Sequence, residues 1–359
     1  MTEKNIPNLR LIAQQIADPE FHSPQETVSW MGAMQAQDFN MAKWAIGLRL
    51  KGNTEEQIDA AINSAGIIRT HVLRPTWHFV SASDVHWMLD LTASRIKKSM
   101  EGRLKQLELD NKLLKKSNRI IEKKLEKCYY ATRKELIAEL NHAKIITNEN
   151  RASHIFLNAE LNKLICSGKM KGKEITYAFL EQRVDSPQKI SRPECLAKLA
   201  AKYFQSHNPA TLKDFVWWSG LTITDAKRGI EMIQNEFCCE KINGIDYWIS
   251  KSAADFKKLK SGFFLLPSFD EFLIGYTDRS AAIETGHQSK AFSKNGIFWP
   301  TVIANGKVKG IWKRETKKDT VSITIQFFDS KQQPAKNTLK REAQKLGTFL
   351  NKKVKISYA

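Results

Sequence analysis

The chain has 359 residues, of which 42% are hydrophobic, enough for a sizeable core divided among two or three domains. Lysine and arginine number 57 against 38 acidic residues, and this net charge of +19 indicates a polyanionic partner, with nucleic acid ahead of an anionic membrane. No apolar run of about 18 residues occurs, and no hydrophobic segment follows the charged residues at the N-terminus, so we expect a cytoplasmic protein that does not bind a membrane.

Cysteine and histidine spacing argues against a metal site. The five cysteines show no C-x-x-C spacing, and the eight histidines show no H-x-x-x-H spacing. We therefore expect no metal, no cofactor and no disulfide framework. The thiols are better explained as small core residues in a reducing compartment. The cysteines are Cys128, Cys166, Cys195, Cys238 and Cys239.

The first 82 residues show the order of elements typical of a winged helix. A capping box at 23–26, with proline at the first helical position, begins an amphipathic helix that the apolar spacing over 28–34 extends to Gln35. A second capping box at 54–57 begins another helix. Two strand-like runs then follow over 67–80, interrupted by a proline. We assign residues 1–82 to a first winged helix.

The same order recurs twice downstream. A capping box at 132–135 begins the second copy, which we assign to residues 131–190. The third copy, assigned to 191–256, has a helix capped at Thr211 and a hairpin around Asn243-Gly244. Between the first two copies, residues 83–130 are helical in pattern and strongly basic, and we interpret them as a solvated connector.

Residues 257–359 have a different pattern, dominated by strands. Four strand-like runs, a helix over 334–350 and a last strand over 353–358 predict a small β-barrel-like domain, with a polar loop at 281–296. The predicted fold class is therefore α+β: three tandem winged-helix motifs forming a concave basic surface, followed by a C-terminal β-barrel-like domain with a hairpin. The four runs cover 262–266, 300–304, 308–312 and 320–328.

Five motifs, in this order, resemble those of the AlkZ-like (YcaQ-type) DNA glycosylases. They are Met34-Gln35-Ala36-Gln37; 73–80; 209–221; 265–270 with Gly275-Tyr276 and Asp278-Arg279; and 306–312. The resemblance covers most of the chain and implies tandem winged helices followed by a small β-barrel. It also implies a catalytic motif of glutamine, an aliphatic residue, then glutamine or aspartate. Gln35 and Gln37 fit the two-glutamine branch, which is linked to bulky, cationic alkylpurine lesions and, in some members, to interstrand crosslinks.

Other polar residues are candidates for DNA contacts. His71, Arg74 and His78 alternate in a strand-like stretch, where a DNA-facing or site-supporting role competes with simple structural hydrogen bonding. The loop at 304–307 resembles the family's hairpin that approaches the DNA groove. Phosphate contacts are expected from basic residues after it. These hairpin and strand candidates are Asn305, Lys307, Lys309, Lys313 and Arg314.

A further set is expected to be structural or to support the site. For Asp270 and Arg279, a buried aspartate-to-arginine network that fixes the barrel is favoured over direct catalysis. Trp217 is expected to serve packing of the third winged helix, and Asp38 to cap a helix or form an ion pair. Thr76, Tyr276 and Trp312 complete this set.

Amide side chains suit a substrate that needs no proton. A neutral purine leaves its sugar badly without a general acid, and an amide does not titrate near neutral pH. A cationic alkylpurine loses its charge on leaving, so the main task becomes the positioning of a water molecule. On an ideal helix Gln35 and Gln37 point roughly 160° apart. Sharing one water therefore requires extended or turn-like backbone. Alternatively, only one amide holds the water and the other supports the DNA backbone.

The sequence thus predicts a monofunctional DNA glycosylase that acts as a monomer on duplex DNA containing alkylated bases. The alternative is a non-catalytic winged-helix DNA-binding protein or transcriptional regulator with the same basic surface. A lysine nucleophile is disfavoured because no lysine lies in the catalytic motif. Flipping of the base into a pocket stays an open question.

Overall fold

The helix predicted to reach Gln35 is shorter than its apolar pattern suggests. The computed structural model describes residues 2–185, 188–251, 262–329 and 336–359. Helix α2 (Pro24–Met31) follows α1 (Ile6–Ala13) and stops before Gly32, whose φ of +74° favours glycine. Strand β1 (Ala33–Gln35) then begins, so the prediction of a helix to Gln35 was wrong. The strand buries Ala33 and Met34, which a helix pattern also accommodates.

Strand β1 belongs to a small antiparallel sheet in the N-terminal part of the chain. After α3 (Phe39–Gly47) and α4 (Glu55–Asn63) come β2 (Ile67–His71) and β3 (Trp77–Ser81), and the strand order is β1-β3-β2. The register pairs Gln35 with His78. Pairing with β3 therefore fixes the backbone at the first glutamine of the motif.

The second part of the chain contains the basic helices. Helices α5 (Ala82–Gln106) and α6 (Asn111–Cys128) are followed by a helical and strand region with the sheet order β4-β6-β5. The interpretation of 83–130 as a solvated connector was wrong for α6, because Leu114, Ile121 and Leu125 are buried in one cluster with Leu136 and Phe156. The other elements here are β4 (Ala131–Thr132), α7 (Arg133–His142), α8 (Arg151–Leu161), β5 (Ile165–Lys171), β6 (Glu174–Phe179) and α9 (Leu180–Arg183).

The third part consists of three helices and a hairpin. Helix α10 (Arg192–Ser206) packs with α12 (Ile223–Ile233), and α11 (Leu212–Ser219) begins at the predicted cap Thr211. Strands β7 (Phe237–Ile242) and β8 (Ile245–Ser250) join at Asn243 and Gly244, both with positive φ, which confirms the predicted hairpin.

An open five-stranded sheet forms the C-terminal part. Its order is β13-β12-β11-β10-β9, with β12 and β13 parallel and the other pairs antiparallel. Among the described strands β9 and β13 are edges, so the arrangement is a half-barrel rather than a closed barrel. The elements are β9 (Phe263–Leu266), α13 (Glu271–Ile274), α14 (Gln288–Ala291), β10 (Thr301–Ala304), β11 (Lys307–Thr316), β12 (Thr320–Phe327), α15 (Lys336–Phe349) and β13 (Lys353–Tyr358).

The segment 281–296, expected to be a polar loop, contains α14 and buries Ile283 and Ala291. The predicted boundary at 256–257 and the start of the predicted helix at 334–335 lie outside the described residues.

The C-terminal sheet shares one hydrophobic core with the N-terminal part. Trp44 of α3 donates its indole N–H to the Leu265 carbonyl at 2.9 Å and contacts the Phe349 ring. The fully buried Arg49 forms two hydrogen bonds, of 2.8 and 2.9 Å, with the two carboxylate oxygens of Asp270. Residues far apart in sequence are therefore held together by both apolar packing and a buried ion pair.

We expect Asp270→Asn to lower the free energy of unfolding by about 3 kcal/mol or more, because it leaves the buried Arg49 charge without a negatively charged partner. Urea denaturation measures the change. The matched control is Asp246→Asn, which breaks the exposed pair with Lys241 (3.7 Å) and should cost less than about 1 kcal/mol. Equal effects of the two substitutions would contradict the stabilising role of the buried pair.

Candidate active site

Strand-like hydrogen bonding continues from β1 to Ala36, the central residue of the Gln35-Ala36-Gln37 motif, which is held on both sides. The Ala36 N–H donates to the Trp77 carbonyl at 2.7 Å, and Arg69 Nε donates to the Ala36 carbonyl at 3.0 Å. The Arg69 guanidinium carbon lies 4.3 Å from the centroid of the Trp77 ring, which restricts its movement. Extended backbone places residues two apart on the same side, so both amides can face one site.

Gln35 is half-buried and contacts two charged side chains. Its side-chain oxygen accepts a hydrogen bond from Arg74 Nη2 at 3.3 Å, and its backbone N–H donates to Glu271 Oε1 at 2.8 Å. The other Glu271 oxygen accepts from the Trp218 indole at 3.1 Å and lies 3.6 Å from His207 Nε2. A buried carboxylate therefore fixes the position of Gln35 from behind.

Sequence reasoning missed both Glu271 and Arg69. Glu271 is 1% exposed in the otherwise apolar helix α13. A charged residue in an apolar segment was the signal that could have marked it as a buried polar group. Arg69 gave no comparable signal, because its contact with Ala36 depends on the pairing of distant strands.

Gln37 is exposed, and no described residue forms a hydrogen bond with its side chain. Asp38 is the N-cap of α3, accepting from the Met41 N–H at 3.1 Å, which confirms its interpretation as a helix cap. It also accepts from the Ser268 hydroxyl at 3.3 Å. The second amide is therefore free to bind a water molecule or DNA, on backbone that a cap holds in place.

The two histidines of the strand pair lie in the interior. His71 contacts Glu160 through Nδ1, and its ring centroid is 4.5 Å from that of Trp77. His78 is fully buried, with Nδ1 at 2.9 Å from the Thr76 carbonyl. Burial, with the nearby charge of Arg74, holds the pKa of His78 well below its ordinary value. Neither imidazole is placed for direct DNA contact in this conformation, and both support the sheet beneath the motif.

Arg74 extends from the turn that joins β2 and β3. Burial lowers the pKa of its guanidinium, while the nearby Glu271 carboxylate opposes this effect. The side chain also lies 5.7 Å from the Trp217 ring centroid. Thr76 follows in the same turn, and its buried hydroxyl oxygen has no hydrogen-bond partner among the described residues. Arg74 thus brings a positive charge directly to the Gln35 amide.

The predicted hairpin at 304–307 is held against α1. Asn305 and Gly306 have positive φ, and a Cβ on Gly306 would lie 2.8 Å from Pro7 Cβ, so the turn is closely packed there. Lys307 donates to the Ala281 carbonyl at 2.6 Å, and Lys309 lies 3.5 Å from Glu284. Only Asn305 among these residues is fully exposed.

Strand β11 also carries the remaining two basic candidates. Lys313 is exposed, whereas Arg314 is half-buried. Burial lowers the pKa of Arg314, and the carboxylates of Glu55 and Asp38 oppose this effect. The structure therefore places the Arg314 charge close to the helix cap that follows Gln37.

Asp270 and Tyr276 belong to one buried network, because Gln14 bonds both Arg49 and the Tyr276 hydroxyl. Asp270 pairs with Arg49, so the predicted network exists but its arginine is not Arg279. Tyr276 donates to the His207 carbonyl at 2.8 Å, and Trp312 donates to the Leu266 carbonyl at 2.8 Å. These contacts tie strands and helices together beneath the site. Arg279 instead donates to the Leu273 and Thr277 carbonyls at 2.8 and 3.1 Å.

Within the described ranges, no group of three or more histidine, cysteine or acidic side chains could hold a metal ion. No described helix has the length and apolar character needed to cross a bilayer. The side chains that the described structure places at the motif are two amides, two arginines and a buried carboxylate.

We expect the free energy of unfolding to fall as the pH drops below about 6.5, because the unfolded chain then binds a proton that the folded state excludes from His78. Urea denaturation between pH 7 and pH 5.5 measures this slope, which should be shallower in His78→Gln. The exposed His142 provides the control, since His142→Gln should keep the wild-type slope. An unchanged slope in His78→Gln would contradict a neutral, buried His78.

Comparison with known proteins gives consistent matches over nearly the whole chain. The family model described as DNA glycosylase AlkZ-like matches residues 28–349. An interstrand DNA cross-link repair glycosylase from Streptomyces sahachiroi is 22% identical in an alignment of 340 residues, with 89% of each chain covered. The solved structure of Streptomyces sahachiroi DNA glycosylase AlkZ has a TM-score of 0.81 at 17% identity, covering 99% of both chains, and so shows the same mixed α+β fold. The chain is an enzyme, and it belongs to the AlkZ-like DNA glycosylase family.

Proposed function

We propose that this glycosylase hydrolyses the N-glycosidic bond of cationic alkylpurines in duplex DNA, with Gln35 and Gln37 positioning the attacking water. The observation that carries the proposal is the pair of hydrogen bonds at Ala36, one to the Trp77 carbonyl of β3 and one from Arg69 Nε. It supports placement of the two amides on one side. A helix through this motif would have separated them.

The chemistry of the site favours a base that is already charged. The Glu271 carboxylate is buried behind the Gln35 backbone, where it accepts hydrogen bonds from the Gln35 N–H and the Trp218 indole, so it is not placed to protonate a leaving base. An amide oxygen accepts a hydrogen bond from water but cannot protonate a leaving base. N7- or N3-alkylation supplies that charge in advance. Departure of the base then needs only a positioned water and stabilisation of the sugar.

The amides keep enough hydrogen-bonding capacity for this task. The Gln35 oxygen accepts one bond from Arg74 and retains a second lone pair, while both Gln37 groups are free within the described structure. Arg74 and Arg314 would face DNA on either side of the motif, with Lys313 and Asn305 farther along the C-terminal sheet. Bulky adducts and crosslinks are included because the Streptomyces relative is named for cross-link repair.

Three helical units are proposed to form the basic surface for duplex DNA. The segments 24–81, 111–179 and 192–250 share one order of elements: a helix, a short strand or bridge, two helices and a pair of strands. This order is that of a winged helix, and the second unit would then begin at α6 rather than at residue 131.

Wild-type protein should release N7-methylguanine from duplex DNA and leave an abasic site, while uracil and 8-oxoguanine stay intact because the Gln35 and Gln37 amides cannot protonate a neutral leaving base. Heating in alkali cuts the product at abasic sites, and gel electrophoresis measures the fraction cut. Excision of uracil at a rate comparable to that of N7-methylguanine would refute the role of substrate charge.

Gln35→Ala and Gln37→Ala should each slow single-turnover excision of N7-methylguanine on the order of 100-fold, because the water loses its orientation. Affinity for an undamaged duplex should change far less. Gln106→Ala, which removes an exposed amide on α5, is the matched control and should retain the wild-type rate. If both motif variants were as fast as this control, the proposed role of the amides would be wrong.

A further inference from the structure

An exposed tryptophan lies beside the motif and close to two arginines. Trp217 of α11 is 45% exposed, although the neighbouring Trp218 is fully buried. Its indole N–H donates to the Ile274 carbonyl at 3.0 Å, which fixes the ring. The guanidinium carbons of Arg74 and Arg279 lie 5.7 and 5.9 Å from its ring centroid. A large, rigid aromatic surface is thus open to solvent next to two positive charges.

The Arg279 charge is held by aromatic rings rather than by a carboxylate. Its guanidinium carbon lies 5.3 Å from the Phe292 ring centroid and 5.2 Å from that of Phe298. Two of its nitrogens donate to backbone carbonyls. Asp214 and Asp278 act on it electrostatically, but no described carboxylate is within ion-pair distance. The group is therefore oriented in advance and keeps capacity to bind an anion.

Arg74 has a similar surplus of charge and connects this surface to the motif. One of its nitrogens donates to Gln35, Nε has no partner among the described residues, and no described carboxylate forms an ion pair with it. Burial lowers the pKa of Arg279 and the nearby positive charge of Arg74 lowers it further, a repulsion that an anion bound between the two guanidinium groups would relieve. A guanidinium pair of this kind suits a phosphate group.

We propose that Arg74, Arg279 and Trp217 form a clamp for the damaged strand. The two guanidinium groups bind a backbone phosphate beside the lesion, and the exposed face of Trp217 stacks on an adjoining uncharged nucleobase. This inference rests on the proposed function of the site. The arginines would repel a cationic purine, so the ring is assigned to a neighbouring base and not to the lesion itself. Base stacking on an aromatic ring is sequence-tolerant, which suits an enzyme that recognises damage.

Trp217 fluorescence tests the stacking directly. Wild-type emission should be quenched when the protein binds a duplex with a tetrahydrofuran abasic-site analogue, and Trp217→Phe should lose most of this quenching. Trp30→Phe is the control and should keep the wild-type quenching. The Trp30 indole also donates to a backbone carbonyl, that of Ala13, but no described cation lies over its ring. Quenching that is equal in wild type and Trp217→Phe would overturn the proposal.

Affinity for the same duplex separates stacking from a structural role. Trp217→Leu should bind about tenfold more weakly or worse, while Trp217→Phe should retain most of the affinity, since it keeps an aromatic face. Wild-type affinity in Trp217→Leu would contradict the clamp. Thermal melting of each variant confirms that the comparison is made on folded protein.

The phosphate contact is tested by the salt dependence of binding. Arg279→Gln should reduce the slope of log affinity against log salt by about 0.9, whereas Arg279→Lys should retain it. Arg103→Gln, at an exposed arginine of α5 outside the three proposed helical units, should leave the slope unchanged. A slope in Arg279→Gln equal to that of wild type would refute the contact.

These outcomes are distinguishable from failure of the proposed function. The abasic analogue requires no excision, so the binding and fluorescence measurements remain valid if N7-methylguanine is not released. Normal excision together with unchanged binding of the Trp217 and Arg279 variants would refute the clamp alone.

Discussion

The two hydrogen bonds of Ala36 are the constraint on which the site depends. Its N–H is bonded to the Trp77 carbonyl and its carbonyl to Arg69 Nε, so the residue between the two glutamines cannot adopt helical backbone without losing both. Gln35 adds a third bond, from its own N–H to Glu271. Together these bonds hold the motif away from helical backbone, as the proposed placement of both amides on one side requires.

This constraint requires residues from distant parts of the chain. Glu271 follows Asp270, whose ion pair with Arg49 attaches the C-terminal segment to the N-terminal core. Trp218, from the third helical unit, donates to the same Glu271 carboxylate. The positions of the two glutamines therefore depend on the folding of the N-terminal, third and C-terminal parts together. A substitution that breaks the ion pair between Arg49 and Asp270 should therefore alter the position of the motif.

Local signals in the sequence were reliable where local interactions decide the structure. The capping boxes at Ser23, Thr132 and Thr211 begin helices as predicted, and the Asn243-Gly244 turn closes its hairpin, because each depends on residues within four positions. The order of family-like motifs identified the catalytic candidates before any geometry was known. The helix predicted to reach Gln35 failed because pairing with β3, more than 40 residues later, outweighed its apolar pattern. Burial of His71 and His78 and the pairing of Asp270 with Arg49 likewise depend on tertiary contacts that no short segment encodes.

The central claim is that both amides orient the same water, and a double-mutant cycle tests it most directly. Single-turnover excision of N7-methylguanine from duplex DNA would be measured for wild type, Gln35→Ala, Gln37→Ala and the double variant. If one water is shared, the double variant should be little slower than the slower single variant, because removal of either amide already releases the water. Losses that multiply in the double variant would mean that the two glutamines act independently, and would contradict this account.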